Sequence, residues 1–240
     1  MKKRFVLKSM IPAYCVFLTL FLLFGIWGSR AITAITENSQ IPNRTTFIID
    51  PGHGGEDGGA TSCTGVLESK FNLEISLRLR DLLELLGYRT SMIRTTDISV
   101  YTSGNTIAQK KVSDLKHRLK TINETQNALV LSIHQNYFSD SKYSGAQVFY
   151  PKTSGSELLA KRLQQQMIST VNPGSHRAAK RVERVYLMQH IGCTGVLIEC
   201  GFLSNPVEEA LLRSYDYQKK LVAVIASTCA QFLSENSQIT

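Results

Sequence analysis

Apolar positions along this chain follow two periods. Short runs in which almost every residue is apolar read as buried strands, and runs with apolar residues at steps of three and four read as amphipathic helices. Strands are expected at 46–50, 89–94, 128–133 (ending at His134), 146–150, 185–188 and 195–199. Between them, Phe71, Ile75, Leu79, Leu82, Leu83 and Leu86 mark one helix face, and Gly87 is placed to end that helix. Further helices are expected at 111–125 (Leu115, Leu119 and Ile122 aligned), 157–170 and 216–234 (Leu221, Ile225, Cys229 and Phe232 aligned). Asn205-Pro206 reads as N-cap and first residue of a short helix, with Glu208 as the capping-box acid. Residues 95–109 read as an irregular loop. Strands alternating with helices predict an α/β domain: a twisted, mostly parallel or mixed sheet of about six strands, with helices on both faces.

The N-terminus departs from this pattern. Residues 10–27 form an 18-residue run without charge, preceded by Lys2, Lys3, Arg4 and Lys8. Apolar runs of about 20 residues span a bilayer, and basic flanks stay cytoplasmic. Residues 1–29 are therefore expected to be a membrane anchor or a signal peptide, 30–44 a linker, and 45–235 one catalytic domain outside the cytoplasm. The first 30 residues carry +5 of the net charge of +8. The basic balance is thus largely a targeting signal, and no nucleic-acid partner is expected; a mildly basic domain suits an anionic polymer such as cell wall. No Cys-x-x-Cys pair occurs, which argues against a cysteine zinc site. Cys63, Cys193, Cys200 and Cys229 read as small buried hydrophobes rather than staples, with Cys193–Cys200 the pair a bridge would join.

Candidate chemistry gathers at strand ends. His53 follows the first strand through Asp50-Pro51-Gly52, and His134 ends the third. Open α/β sheets build their sites at the carboxyl ends of strands. The glycines at 52, 54 and 55 leave backbone room around His53. A catalytic zinc takes three protein ligands from His and carboxylates and keeps one position open. Glu56, Asp57, Glu68 and Glu74 are all candidates for the third, and periodicity does not choose among them. Glu199 closes the apolar run Gly195-Val196-Leu197-Ile198, where partial burial would raise its pKa toward general acid–base work. The bland alternative pairs Glu199 with Arg94 or Arg118 as a structural ion pair. His117, His176 and His190 read as non-ligands. No P-loop, dinucleotide fingerprint or nucleophile elbow is present.

Four motifs in order resemble the zinc-dependent N-acetylmuramoyl-L-alanine amidases. They are Phe47-Ile48-Ile49-Asp50-Pro51-Gly52-His53-Gly54-Gly55, Gly65-Val66-Leu67-Glu68 with Asn72-Leu73, Ser132-Ile133-His134-Gln135-Asn136, and Leu197-Ile198-Glu199-Cys200-Gly201-Phe202-Leu203-Ser204-Asn205. The resemblance implies one zinc ion held by His53, Glu68 and His134, with Glu199 catalytic, Glu68 rather than Glu74 being the third ligand. It implies peptidoglycan as substrate, cut between the lactyl group of muramic acid and L-alanine. Asp114-Leu115-Lys116-His117-Arg118, Ser144-Gly145-Ala146-Gln147-Val148-Phe149-Tyr150 and Arg177-Ala178-Ala179-Lys180 look like the branch acting on spore cortex, where stem removal lets muramic δ-lactam form. Thr194-Gly195 stands where the family often has a proline. Arg94, Asn136 and Arg177 are expected to contact substrate or support the site. The rival expectations are a non-catalytic wall-binding protein on the same fold, and a related zinc peptidase or deacetylase.

Overall fold

The computed structural model describes residues 45–237, so the expected anchor and linker lie outside the described residues. Twelve of the described elements organise the domain. They are Thr46–Pro51 (β1), Glu68–Leu85 (α1), Arg89–Met92 (β2), Ile107–Glu124 (α2), Ala128–Asn136 (β3), Gln147–Tyr150 (β4), Ser156–Gln166 (α3), Lys180–Arg181 (β5), Tyr186–His190 (α4), Thr194–Phe202 (β6), Pro206–Arg213 (α5) and Tyr215–Ser237 (α6). The sheet order is β2-β1-β3-β6-β4-β5. β1 pairs in parallel with β2 and β3, and β3 in parallel with β6; β4 runs antiparallel to β6, and β5 parallel to β4.

Alternation along the central strands sends side chains to two separate cores, because successive strand residues face opposite sides of a sheet. Ile48, Val130 and Leu197 pack with Ile122 of α2 and with Leu187, Met188 and Ile191 around α4. The other face is covered by α1, α3 and α6. α1 contributes Phe71, Ile75, Leu79 and Leu83, all buried, each worth roughly 1.5–3 kcal/mol on burial. α1 ends as its glycine predicts. Gly87 takes a left-handed φ of 86°, and the N–H groups of Gly87 and Tyr88 donate to Glu84 O and Leu83 O at 2.9 and 3.0 Å.

Several local expectations are corrected. Residues 185–188 are not a strand: α4 occupies Tyr186–His190, and the edge strand is Lys180–Arg181. A four-residue apolar run carries too little periodicity to separate the two, and burial of Leu187, Met188 and Ile191 against α2 decides for helix. α2 begins four residues before the expected start at 111, inside the expected loop, because Thr106 and Gln109 form a reciprocal capping box. The helix expected over 157–170 gives way after Gln166 to a π-turn at Met167–Val171. Asn205 does cap α5, accepting from the N–H groups of Val207 and Glu208. Glu208 is no capping-box acid; its carboxylate accepts from Gly145 N and Phe202 N, tying α5 to the sheet end. All four cysteines of the described residues are free, so Cys193 and Cys200 form no bridge, and Cys63 is exposed rather than buried.

Candidate metal centre

The parallel strands β1, β3 and β6 end side by side, and the site lies on those ends. The loop after β1 is held by two buried guanidinium groups. Arg94 donates to the carbonyls of Pro51 and Gly52, each at 3.0 Å, and to those of Ser69 and Thr96. Arg118 donates to Pro51 O and His53 O and pairs with the carboxylates of Asp50 and Asp114. Burial works against the ionised form of Asp50, but Arg118, with help from Ser132, outweighs it and holds the carboxyl below its usual range. His53 takes a positive φ of 60°, uncommon for a side chain with Cβ, and the Arg118 contact to its carbonyl helps hold it there.

His53, Glu68 and His134 present one donor atom each, and these atoms lie within 4.8 Å of one another. His53 Nε2 is 3.3 Å from Glu68 Oε2, and His134 Nδ1 is 3.0 Å from Glu68 Oε1. The other nitrogen of His53, Nδ1, is 3.0 Å from Asp57 Oδ2. A carboxylate on the far nitrogen fixes the ring and tautomer of a ligating histidine. Asp57 in turn meets Lys111 Nζ at 2.8 Å. Glu68 is buried at the start of α1. It accepts from the N–H groups of Ala60 and Gln135 and from Asn72, one turn along α1. Asn72 also donates to Gly52 O, so α1, the β1 loop and β3 share one hydrogen-bond network.

Two glycines make the close packing feasible. A Cβ on Gly52 would sit 2.2 Å from the His134 ring, and one on Gly59 would sit 2.6 Å from Glu68 Oε2 and 2.7 Å from the His53 ring. Charge in the cluster is strongly coupled. Burial disfavours a charged His53, yet Asp57 and Glu68 outweigh burial and raise its pKa to about 9. Glu68 is shifted the other way: burial disfavours its charge, but His134 and His53 hold it well below the usual carboxylate range. A divalent cation would compete with protons for these donor atoms.

Glu199 stands next to His134, its register partner across the β3–β6 ladder. Its Oε2 is buried and has no hydrogen-bond partner among the described residues. Burial, with the nearby Glu68 charge, pushes its pKa up to about 7. The structural ion-pair alternative fails, because Arg94 and Arg118 are committed to the β1 loop, Asp50 and Asp114. Among the other carboxylates weighed as ligands, Glu56 pairs with Lys110, Glu74 meets Gln218, and Asp57 backs His53. Arg94 lies under the site as a support. Asn136 sits two residues beyond His134, half-buried, its carbonyl accepting from Leu203 N. Arg177 spans Ser144 O and Gln147 and covers the Phe202 ring at 4.7 Å, beside Glu199. His117, His176 and His190 stay outside the cluster. Sequence reasoning missed the bond from Asp57 to His53 and the Asn72–Gln135 bridge. Asn72 at four residues from Glu68 was the available signal for the second.

Residues 47–231 match the family model described as N-acetylmuramoyl-L-alanine amidase. The germination-specific N-acetylmuramoyl-L-alanine amidase of Bacillus subtilis is 39% identical over 191 residues, covering 79% of this chain and 80% of that protein. LytC of the same organism is 28% identical, over 84% of this chain and 39% of its own length. The CwlD amidase of Clostridioides difficile, solved in complex with the GerS lipoprotein, superimposes with a TM-score of 0.76 at 38% identity, over 79% of this chain and 98% of that one. The chain belongs to the N-acetylmuramoyl-L-alanine amidase family.

Proposed function

We propose that this amidase is a zinc hydrolase of spore-cortex peptidoglycan, working outside the cytoplasm. The observation that carries the reading is the donor cluster of His53, Glu68 and His134 beside the unpartnered, buried carboxylate of Glu199. Two imidazole nitrogens and a carboxylate oxygen are a typical donor set for catalytic zinc, leaving a position open for water or substrate. The glycines that pack against both rings fit a cluster drawn this tight. Zinc bound there supplies Lewis-acid polarisation of the scissile carbonyl and acidifies water.

The remaining steps fall to side chains of this chain. Asp57 holds His53 with Nε2 facing the cluster. Glu199 takes a proton from the attacking water on the carboxylate that burial has made basic. It then returns that proton to the L-alanine nitrogen as the bond to the lactyl carbonyl breaks. A carboxyl with pKa near 7 can serve in both directions at neutral pH. The cortex assignment is supported by the 39% identity to a germination-specific amidase and by the 38% identity to CwlD. Stem removal there would leave muramic acid free to close as a δ-lactam.

The test is product analysis by mass spectrometry after incubation with cortex and with vegetative wall. Free stem peptides with N-terminal L-alanine are expected. Cleavage elsewhere, or none, overturns the reading. His134→Ala is expected to lose most bound metal, and retention of full zinc and full turnover would falsify the ligand assignment.

A further inference from the structure

Glu199 also lines a cavity of about 400 Å³ that extends from it toward the β5 edge of the sheet. Leu197 and Glu199 share one face of β6, being two residues apart. Opposite them on β4 are Phe149 and Gln147, and beside Phe149 on β5 is Lys180. Val182 and Val185 complete an apolar floor with Phe149 and Leu197. Lys180, Arg181 and Arg184 stand over that floor, with Glu183 the one carboxylate among them. Lys180 and Arg184 are exposed and make no ion pair with any described residue. Three cations against one carboxylate leave this rim net positive, and over an apolar floor it is complementary to an anionic group on a partly apolar chain.

The sheet also gives the cavity a direction. The metal-ligand cluster lies on the β1–β3 side of Glu199, and the cavity on the β4–β5 side. If Glu199 returns its proton to the leaving amine, whatever occupies the cavity is on the amine side of the scissile bond. That is the peptide, not the glycan. Lys180 is two strands across from Glu199, roughly 10 Å, and one same-face step back, roughly 7 Å, so it lies about 12 Å away. An extended peptide advances at most ~3.6 Å per residue, so three or four residues bridge that gap.

We propose that this cavity is the stem-peptide subsite, in which Lys180 and Arg184 bind free carboxylates three or four residues from the bond that is cut. The inference rests on the proposed amidase reading for its direction, but its test does not depend on turnover. The probe is a fluorescent synthetic tetrapeptide beginning L-alanine, D-glutamate, with its carboxyl groups free or amidated. Binding to the zinc-loaded full-length chain in detergent is followed by anisotropy. Wild type is expected to bind the free acid about tenfold more tightly than the amide. Lys180→Gln with Arg184→Gln should bring the two affinities together, and Lys180→Arg with Arg184→Lys should restore the preference, because charge rather than shape is being read. Equal affinities in wild type, or an undiminished preference in the double glutamine variant, overturn the subsite. Release of stem peptides from peptidoglycan by the same preparation tests the amidase reading separately.

Discussion

Replacing Glu199 by glutamine separates what the residue does for catalysis from what it costs the fold. Its carboxyl pKa is raised from 4.5 to about 7, chiefly by burial. A carboxyl whose pKa rises on folding favours the folded state most when protonated. Its contribution is fully present below pH 4.5, falls away as pH rises toward 7, and is absent above that. Each pKa unit corresponds to about 1.4 kcal/mol, so the ionised carboxylate costs the metal-free fold about 3 kcal/mol at pH 8. Glutamine has no such titration. In metal-free protein, Glu199→Gln should therefore match wild type near pH 4.5 and exceed it by about 3 kcal/mol at pH 8. For a domain of this size that is roughly 6–12 °C in Tm. The assay is urea unfolding of both proteins in chelator across this pH range. A stability difference that stayed constant with pH, or that favoured wild type at pH 8, would refute the desolvation argument. The same variant is expected to keep its zinc and lose roughly 100- to 10,000-fold in turnover, since the proton transfers go with the carboxylate.

Three further outcomes follow from the same geometry. Asp57→Asn removes the carboxylate behind His53 and should weaken zinc affinity about 10- to 100-fold, measured by chelator competition; unchanged affinity would mean the ring is held by packing alone. Arg118→Met leaves Asp50 buried without its partner and should cost about 3–5 kcal/mol in urea unfolding, whereas a loss under about 1 kcal/mol would contradict the role given to the pair. Gly52→Ala drives a methyl into the His134 ring, so metal binding should fall sharply while far-ultraviolet dichroism stays near wild type; normal zinc affinity would show that the ring has room to move.

The α/β alternation, the apolar face of α1, the glycine that ends it and the N-cap of α5 were legible along the chain, because each depends on residues within a turn or two of one another. Local chemistry also singled out His53, His134 and Glu199, since a polar residue after an apolar run stands out against it, but β3 and β6 run on past the expected ends at His134 and Glu199, to Asn136 and Phe202, because the two strands keep pairing there. The third member of the cluster was different. Periodicity did not settle the choice among Glu56, Asp57, Glu68 and Glu74, and the resemblance decided for Glu68. Only the packing of α1 beneath the β1 loop turns that carboxylate toward both rings while Glu74 meets α6. Tertiary structure likewise decided that 186–190 is helical, that Glu208 serves the sheet end, and that two arginines distant from the histidines hold the loop carrying His53. Periodicity records which face of a segment is apolar; which carboxylate meets which ring depends on contacts between segments, and those arise only when the strands have paired and the helices have docked.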